Sequence, residues 1–394
     1  MKVLHVLYNY YPDLTGSTIR SEGILKGQVH NSIDVVAVTS PFQEGYSVSD
    51  YEILDGIKVY RAKNSIDNNL EISEKEKTLF SRLKKVFLIF KFYSYLRNKA
   101  EVEAVDVIHA HSMFYCALPS ILVARKLKIK SIYEFRSLWE ERFKSKGVTN
   151  FIISKLIKAI ETLSLKLADQ VVTINQSLRD DLVRRGVNPN KIFIVPNAVE
   201  NDILELATGV SAPKKVKRFG YVGNFSEIEG LELLISAFEK AFPISDFPDT
   251  SLTFFGKGPS LNKLTEIVSN SSDKRIMIKG AFSRKDLVNI YTSLDCIVIA
   301  RLNLDITQKV TPLKPLEAMA FKRLVIGSDV GGVKEVISGT DNALFFEAEN
   351  VSDLSDKLLQ AYHGDNSKFI SSGNNFVLKN RSWNNIANIY KSIY

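Results

Sequence analysis

The sequence predicts an α/β protein built from two doubly wound, mostly parallel sheets. Short apolar runs alternate with segments of helical spacing along the chain, and the alternation starts afresh near residue 216. Strands covered on both faces read as continuous apolar runs, and alternating strands and helices build parallel sheets between helical layers. The length, 394 residues, suits about two to three domains. With 45% hydrophobic and 24% charged residues the chain can bury two sizeable cores, which excludes a disordered protein.

In the first half, KVLHVLY (2–8) is an apolar run stopped by a YPD turn, hence a buried strand. A helical pattern follows over about 18–30. Strands are expected at IDVVAVTS (33–40), IKVYRA (57–62), DVIHAHS (106–112), SIYEFRS (131–137), QVVTIN (170–175) and KIFIVPNAV (191–199). Helices are expected over 112–129 and about 150–168. In the second half, strands are expected at 217–225, 251–259, 275–282, 296–300 and 324–328, with helices at 229–242, 283–295, 311–323 and 331–337. Residues 208–216 (TGVSAPKKV) are small, polar and basic, like a linker. The predicted division is 1–205 and 206–379, with a C-terminal helix at 380–394 packing back on the first domain.

Charge and cysteine usage narrow the function classes. The net charge is +8, and residues 1–200 carry 29 Lys/Arg against 22 Asp/Glu. A basic half suggests an anionic partner. No nucleic-acid recognition motif accompanies it. Cys116 and Cys296 each lie in an apolar run, which reads as buried thiols in a reducing compartment. The N-terminus lacks a signal-peptide pattern. No segment approaches the roughly 20 apolar residues that span a bilayer. A cytoplasmic protein is expected. The five histidines and two cysteines show no metal-ligand spacing in sequence.

Ligands of open α/β sheets sit beyond the carboxyl ends of the strands. There, Thr311-Pro312-Leu313-Lys314-Pro315-Leu316-Glu317 is a proline turn opening a helix. Its free amides and Lys314 suit a phosphate, and the two oxygens of Glu317 can accept from both hydroxyls of a ribose. An ordinary capped helix is the alternative. Arg301 follows the strand CIVIA and suits bidentate phosphate contact; a surface ion pair is the alternative.

The segment TPLKPLEAMAFKRLVIGSDVGGVKEVI resembles the donor site of the family 4 glycosyltransferases of the GT-B fold. GYVGNFSEIEGLELLISAF, FFGKGP, KIFIVPNAV, DVIHAHS and YYPDLTGSTIRS resemble other family segments in the expected order, so the likeness covers most of the chain. It implies two Rossmann-like domains facing across a cleft. It also implies a metal-independent, retaining hexosyl transfer from a UDP- or GDP-sugar to a glycan or lipid-linked acceptor in cell-surface polysaccharide synthesis. On this resemblance Glu317 binds the ribose, and amides near Leu313 and Lys314 meet the diphosphate. Gly223, Asn224 and Gly258 lie on the glycine turns of the donor domain. The family's earlier glutamate, eight residues before Glu317, is Lys309 here, and Asn224 and Glu229 stand where Arg and Lys are common. Arg301, Lys309 and Lys314 are the replacement cations.

In the first half, Gly16 lets backbone approach the diphosphate closely. The likeness places a histidine against the transferred sugar: His111, nearer the strand end, before His109. Both point to one strand face, and His111 is expected to reach the cleft. Arg20, Glu134 and Arg136 are candidates for acceptor hydroxyls or phosphate, with a structural ion pair as the alternative. Residues 77–100 interleave seven Lys/Arg with six aromatics and hold no acid, which suits an acidic membrane surface. A sugar-nucleotide epimerase and a catalytically idle polysaccharide-assembly subunit are the competing readings.

Overall fold

A computed structural model describes residues 1–13, 15–43, 50–62, 79–138, 148–337, 339 and 341–394; in the helices that begin at 79 and 148, side chains are described from residues 88 and 151. The chain forms two compact units, Met1–Pro196 with Trp383–Tyr394, and Asn197–Ser382.

The first unit carries strands β1 (Lys2–Leu7), β2 (Asp34–Thr39), β3 (Tyr51–Leu54), β4 (Ile57–Arg61), β5 (Val107–His111), β6 (Lys130–Phe135), β7 (Gln170–Thr173) and β8 (Ile192–Ile194). Their order is β3-β4-β2-β1-β5-β6-β7-β8, parallel except where β3 turns back on β4. That hairpin was not expected. Asp55 and Gly56 make its turn with φ of 50° and 78°, the positive values that a two-residue hairpin requires.

Alternation along these strands sorts the side chains to two faces. Leu4, Val6, Ile108, Ala110, Tyr133 and Phe135 share a core with Phe92, Leu96, Cys116, Ile121 and Leu165 of the helices Leu79–Val102, Phe114–Leu127 and Val148–Leu167. The opposite parity places His5, His109, His111 and Glu134 on the other face. The helices Gly16–His30 and Trp383–Ile393 cross one another there.

The second unit carries β9 (Arg218–Asn224), β10 (Ser251–Lys257), β11 (Ile276–Ile278), β12 (Cys296–Ile299), β13 (Leu324–Ser328) and β14 (Leu344–Phe346). They are all parallel, in the order β11-β10-β9-β12-β13-β14. Counted within the unit this is 3-2-1-4-5-6, the dinucleotide-binding order.

The boundary at Pro196/Asn197 corrects the expected 205/206. Ile203, Ala207, Val210 and Val216 are buried in the second core. Val199 bridges to Ser382, and Lys322 Nζ donates to the Val210 carbonyl at 2.9 Å. The stretch 208–216 is therefore anchored to its unit at Val210 and Val216, while the residues between them are exposed or half-exposed.

Two glycines admit the C-terminal helix. A Cβ on Gly23 would lie 2.0 Å from Trp383 Nε1, and one on Gly27 would lie 2.7 Å from the Trp383 carbonyl oxygen. Trp383 is fully buried. Urea denaturation is expected to show Trp383→Ala destabilised by about 3–5 kcal/mol through the cavity left behind. Gly23→Ala is expected to lose about 1–3 kcal/mol by overpacking.

Candidate functional site

In the second unit strand order reverses between β9 and β12, and a doubly wound sheet opens its ligand crevice at the carboxyl ends of such a pair. Gly223 and the exposed Asn224 end β9. Arg301 lies just past β12. Two close approaches shape the rim. A Cβ on Gly256 would meet the Gly223 carbonyl oxygen at 1.8 Å, and one on Gly258 would meet Phe225 backbone at 2.4 Å, so Gly258 has a packing reason to be glycine.

The three expected cations are placed here, each against a carboxylate. Arg301 donates to Glu229 at 2.9 and 3.2 Å, and to the Val310 carbonyl at 3.0 Å. Lys309 lies 3.7 Å from Asp305. Lys314 Nζ donates to both oxygens of Glu317, at 3.0 and 2.9 Å. The expected surplus of positive charge is thus corrected to a set of ion pairs. Glu229 stands where a lysine is usual, and it draws Arg301 to itself from the neighbouring strand.

Glu317 is buried in the first turn of the helix Lys314–Ala320, which lies in the connection from β12 to β13. Its Oε2 also accepts from Tyr291 Oη at 2.9 Å. Tyr291 is buried and stacked on Phe321, with ring centroids 4.6 Å apart. Burial, and next the charge of Glu317, push the phenol well above its ordinary pKa, so it stays a donor. Sequence reading did not find Tyr291, because its helix pattern marks it only as core.

In the first unit, Gly16 opens the helix Gly16–His30, and a Cβ there would meet nothing within 4 Å. Thr15 caps that helix, accepting from the Thr18 amide. The other candidates of this unit converge on Glu134, which is fully buried. Its Oε1 accepts from Arg20 Nε and Arg136 Nε, both at 2.8 Å, and its Oε2 accepts from Tyr390 Oη at 2.8 Å. Arg20 also donates to the carbonyls of Val195 and Pro196, and Arg136 to Ser17 and Ser21. Of the two readings left open for Arg20, Glu134 and Arg136, the structural ion pair describes what each of them touches.

The same network takes in the histidines, and the expectation that His111 reaches a cleft is corrected: His111 is only 2% exposed and His109 is fully buried. The reason is that helices pack directly over the strand face they share. Arg136 donates to His111 Nδ1. His111 Nε2 and His5 Nδ1 are 2.8 Å apart, and His5 Nε2 is 2.9 Å from Gln28 Oε1. Gln28 Nε2 donates to Tyr394 Oη at 2.6 Å, which lies 2.8 Å from His109 Nδ1. His109 Nε2 faces Glu134 Oε2 at 3.2 Å. One assignment of tautomers satisfies every link with all three imidazoles neutral: His111 donates to His5, His5 to Gln28, and Tyr394 to His109.

His5, His109 and His111 bring nitrogens within 4.8 Å of one another, a convergence the linear spacing conceals. Five of their six ring nitrogens already have hydrogen-bond partners, His109 Nε2 having none, and two guanidinium groups share the adjoining carboxylate. This is a setting for neutral hydrogen bonding rather than for a cation.

Burial is the main cause holding the pKa of each histidine below its ordinary value, well below for His5 and His111. Burial opposes ionisation of Glu134, but Arg136 and Arg20 outweigh it and hold its carboxyl well below the usual range. In both cases the unfolded chain binds protons that the folded chain refuses, so stability falls as pH falls. The histidine loss begins near pH 6.5, with a slope of up to about 1.4 kcal/mol per pH unit for each histidine, and Glu134 adds below about pH 4.5. Melting temperatures from pH 7.5 to 5 are expected to fall with acid, and His5→Gln is expected to flatten that slope.

Comparison with known proteins agrees with this architecture. The family described as Glycosyltransferase Family 4 matches residues 59–202, and that described as Glycosyl transferases group 1 matches residues 202–376. An uncharacterized glycosyltransferase of Methanocaldococcus jannaschii is 25% identical, over 99% of this chain and 98% of its own. Among solved structures, HepE of Anabaena in complex with UDP is similar with a TM-score of 0.69 at 12% identity, covering 100% of this chain and 99% of that one. The apo lipopolysaccharide outer core galactosyltransferase WaaB is similar with a TM-score of 0.68 at 16% identity, covering 100% of both chains. The chain belongs to the family 4 glycosyltransferases of the GT-B fold.

Proposed function

We propose that this glycosyltransferase is a retaining, metal-independent hexosyltransferase. It takes its sugar from a UDP- or GDP-sugar and passes it to a glycan or lipid-linked acceptor of cell-surface polysaccharide synthesis, at the cytoplasmic side of a membrane. The observation that carries the reading is the placement of Arg301 just past β12 and of Glu317 on the helix that follows it, at the strand-order reversal of the second unit. A carboxylate fixed by Tyr291 and Lys314 suits the two hydroxyls of a ribose, and a guanidinium on the adjoining strand end suits a diphosphate. UDP in HepE and the galactosyl transfer named for WaaB support the donor class and the surface-glycan destination.

In this reading the diphosphate competes with Glu229 for Arg301 and with Glu317 for Lys314, while amides at Leu313 and Lys314 face its oxygens. Lys309 adds a third cation. As the bond from the sugar's anomeric carbon to phosphate breaks, these groups meet the charge that develops on the leaving oxygen. The acceptor hydroxyl attacks the same face of that carbon, and its proton passes to the departing phosphate. His111, His109, Arg20, Glu134 and Arg136 hold the acceptor unit in shape, so they are positioning residues. Gly16, on the first helix, leaves room for ligand backbone contact. A catalytically idle assembly subunit is the second reading, favoured by the Arg301–Glu229 pair, which leaves less free charge for a diphosphate.

Calorimetric titration with the donor found by a thermal-shift screen of UDP-, GDP- and ADP-sugars is expected to show Glu317→Ala weakened by about 2–3 kcal/mol; unchanged affinity removes Glu317 from the site. Because Arg301→Ala alone would strand the Glu229 charge, the test of Arg301 is the double variant Arg301→Gln/Glu229→Gln. Its turnover is expected to drop about 100-fold with little change in melting temperature. Full activity in that variant contradicts its role.

A further inference from the structure

The helix Val148–Leu167 buries one side in its unit and carries an uncovered apolar stripe on the other. Ser154, Glu161, Ser164 and Leu165 face the sheet and are buried. Ile152, Leu156, Ala159 and Leu163 follow each other at spacings of four, three and four, which draws one stripe along a helix. That stripe lies on the far side from the core. Ile152 is 62% exposed, Leu156 59% and Leu163 51%. An apolar helix side left in water marks a binding surface.

Charge says what covers it. Lys155 and Lys166 border the stripe on one side with Lys158 further round the helix, and Lys155 Nζ stands 4.5 Å from the Phe151 ring centroid. The only acid of the helix, Glu161, is turned inward, where it accepts from the Phe114 amide and Tyr133 Oη. Exposed apolar and basic side chains recur on two other helices of the unit. Leu122, 51% exposed, lies on Phe114–Leu127 with exposed Arg125 and Lys126, and Arg125 donates to the Leu167 carbonyl at 3.0 Å. Phe90, 69% exposed, and Lys91 stand on Leu79–Val102. The stripe's heptad-like spacing also fits a second copy of the chain, but a two-fold pairing would set lysine rows together with no exposed acid of this helix between them. An acidic lipid surface answers both the apolar stripe and the lysines.

We propose that the Val148–Leu167 helix is the element by which the protein lies on acidic lipid. Ile152, Leu156 and Leu163 enter the acyl boundary, and Lys155, Lys158 and Lys166 meet the headgroups. This deepens the membrane-side location proposed above and rests on it. It adds a contact to the one expected at residues 77–100, of which 77 and 78 and the side chains of 79–87 lie outside the described residues; Lys99 is drawn into an ion pair with Asp50 at 2.6 Å.

The test is flotation of the full chain with vesicles of phosphatidylcholine alone or mixed equally with phosphatidylglycerol. Wild type is expected to float with the mixed vesicles only. I152S/L156S/L163S is expected to stay in the soluble fraction, and K155Q/K158Q/K166Q to bind roughly 100-fold more weakly. Donor binding by both variants, measured by thermal shift, is expected to match wild type, so loss of flotation is separable from failure of the transferase reading. Equal wild-type binding to neutral vesicles, or undiminished binding by either variant, overturns the proposal. So does a wild-type dimer in gel filtration that the serine variant dissolves, since the stripe would then be covered by a second copy.

Discussion

The first unit is organised around a carboxylate that has no access to water. Glu134 survives ionised because Arg20 and Arg136 both bond one of its oxygens while Tyr390 bonds the other. A buried charge in that position is tolerated only when paired and hydrogen-bonded. The pairing recruits distant parts of the chain: the first helix through Arg20, the loop after β6 through Arg136, and the last helix through Tyr390. Directional hydrogen bonds through His111, His5, Gln28, Tyr394 and His109 then link the guanidinium of Arg136 back toward the same carboxylate. His5 and His111 must each donate at one nitrogen and accept at the other, so an added proton would set donor against donor. The C-terminal helix is thereby tied to the first unit by polar geometry as well as by Trp383 seated over Gly23 and Gly27.

The second unit meets a different constraint. Its strand order leaves an opening at the ends of β9 and β12, and the family's usual cations are absent from the β9 side. Arg301 supplies charge from the β12 side, and Glu229 balances it in the unliganded protein. A cation held by a carboxylate partner is placed without being exposed. The same logic describes Lys314 beside Glu317.

Much of the architecture was legible in the sequence. Apolar runs such as CIVIA and KVLHVLY mark parallel strands, because only strands buried on both sides omit the polar alternation. The antiparallel β3 was missed although Asp55-Gly56 announces its turn; its alternate residues are half exposed and carry no continuous apolar run. Short strands such as Leu344–Phe346 also escaped. The domain boundary moved because Ile203, Ala207 and Val210 pack where composition suggested a linker. Site residues were legible by type and not by environment. Glu134 and Arg136 were read as a possible pair from their spacing, but His5, Gln28, Tyr390 and Tyr394 come from segments far apart in the chain. No local pattern announces that they meet.

The central claim is that the opening at β9 and β12 receives a nucleoside diphosphate. A crystal grown with saturating UDP or GDP tests it most directly. The account predicts the ribose against the Glu317 carboxylate and phosphate oxygens within hydrogen-bond reach of the Arg301 guanidinium, displaced from Glu229. A nucleotide bound away from those strand ends, with the Arg301–Glu229 and Lys314–Glu317 pairs intact, would contradict it.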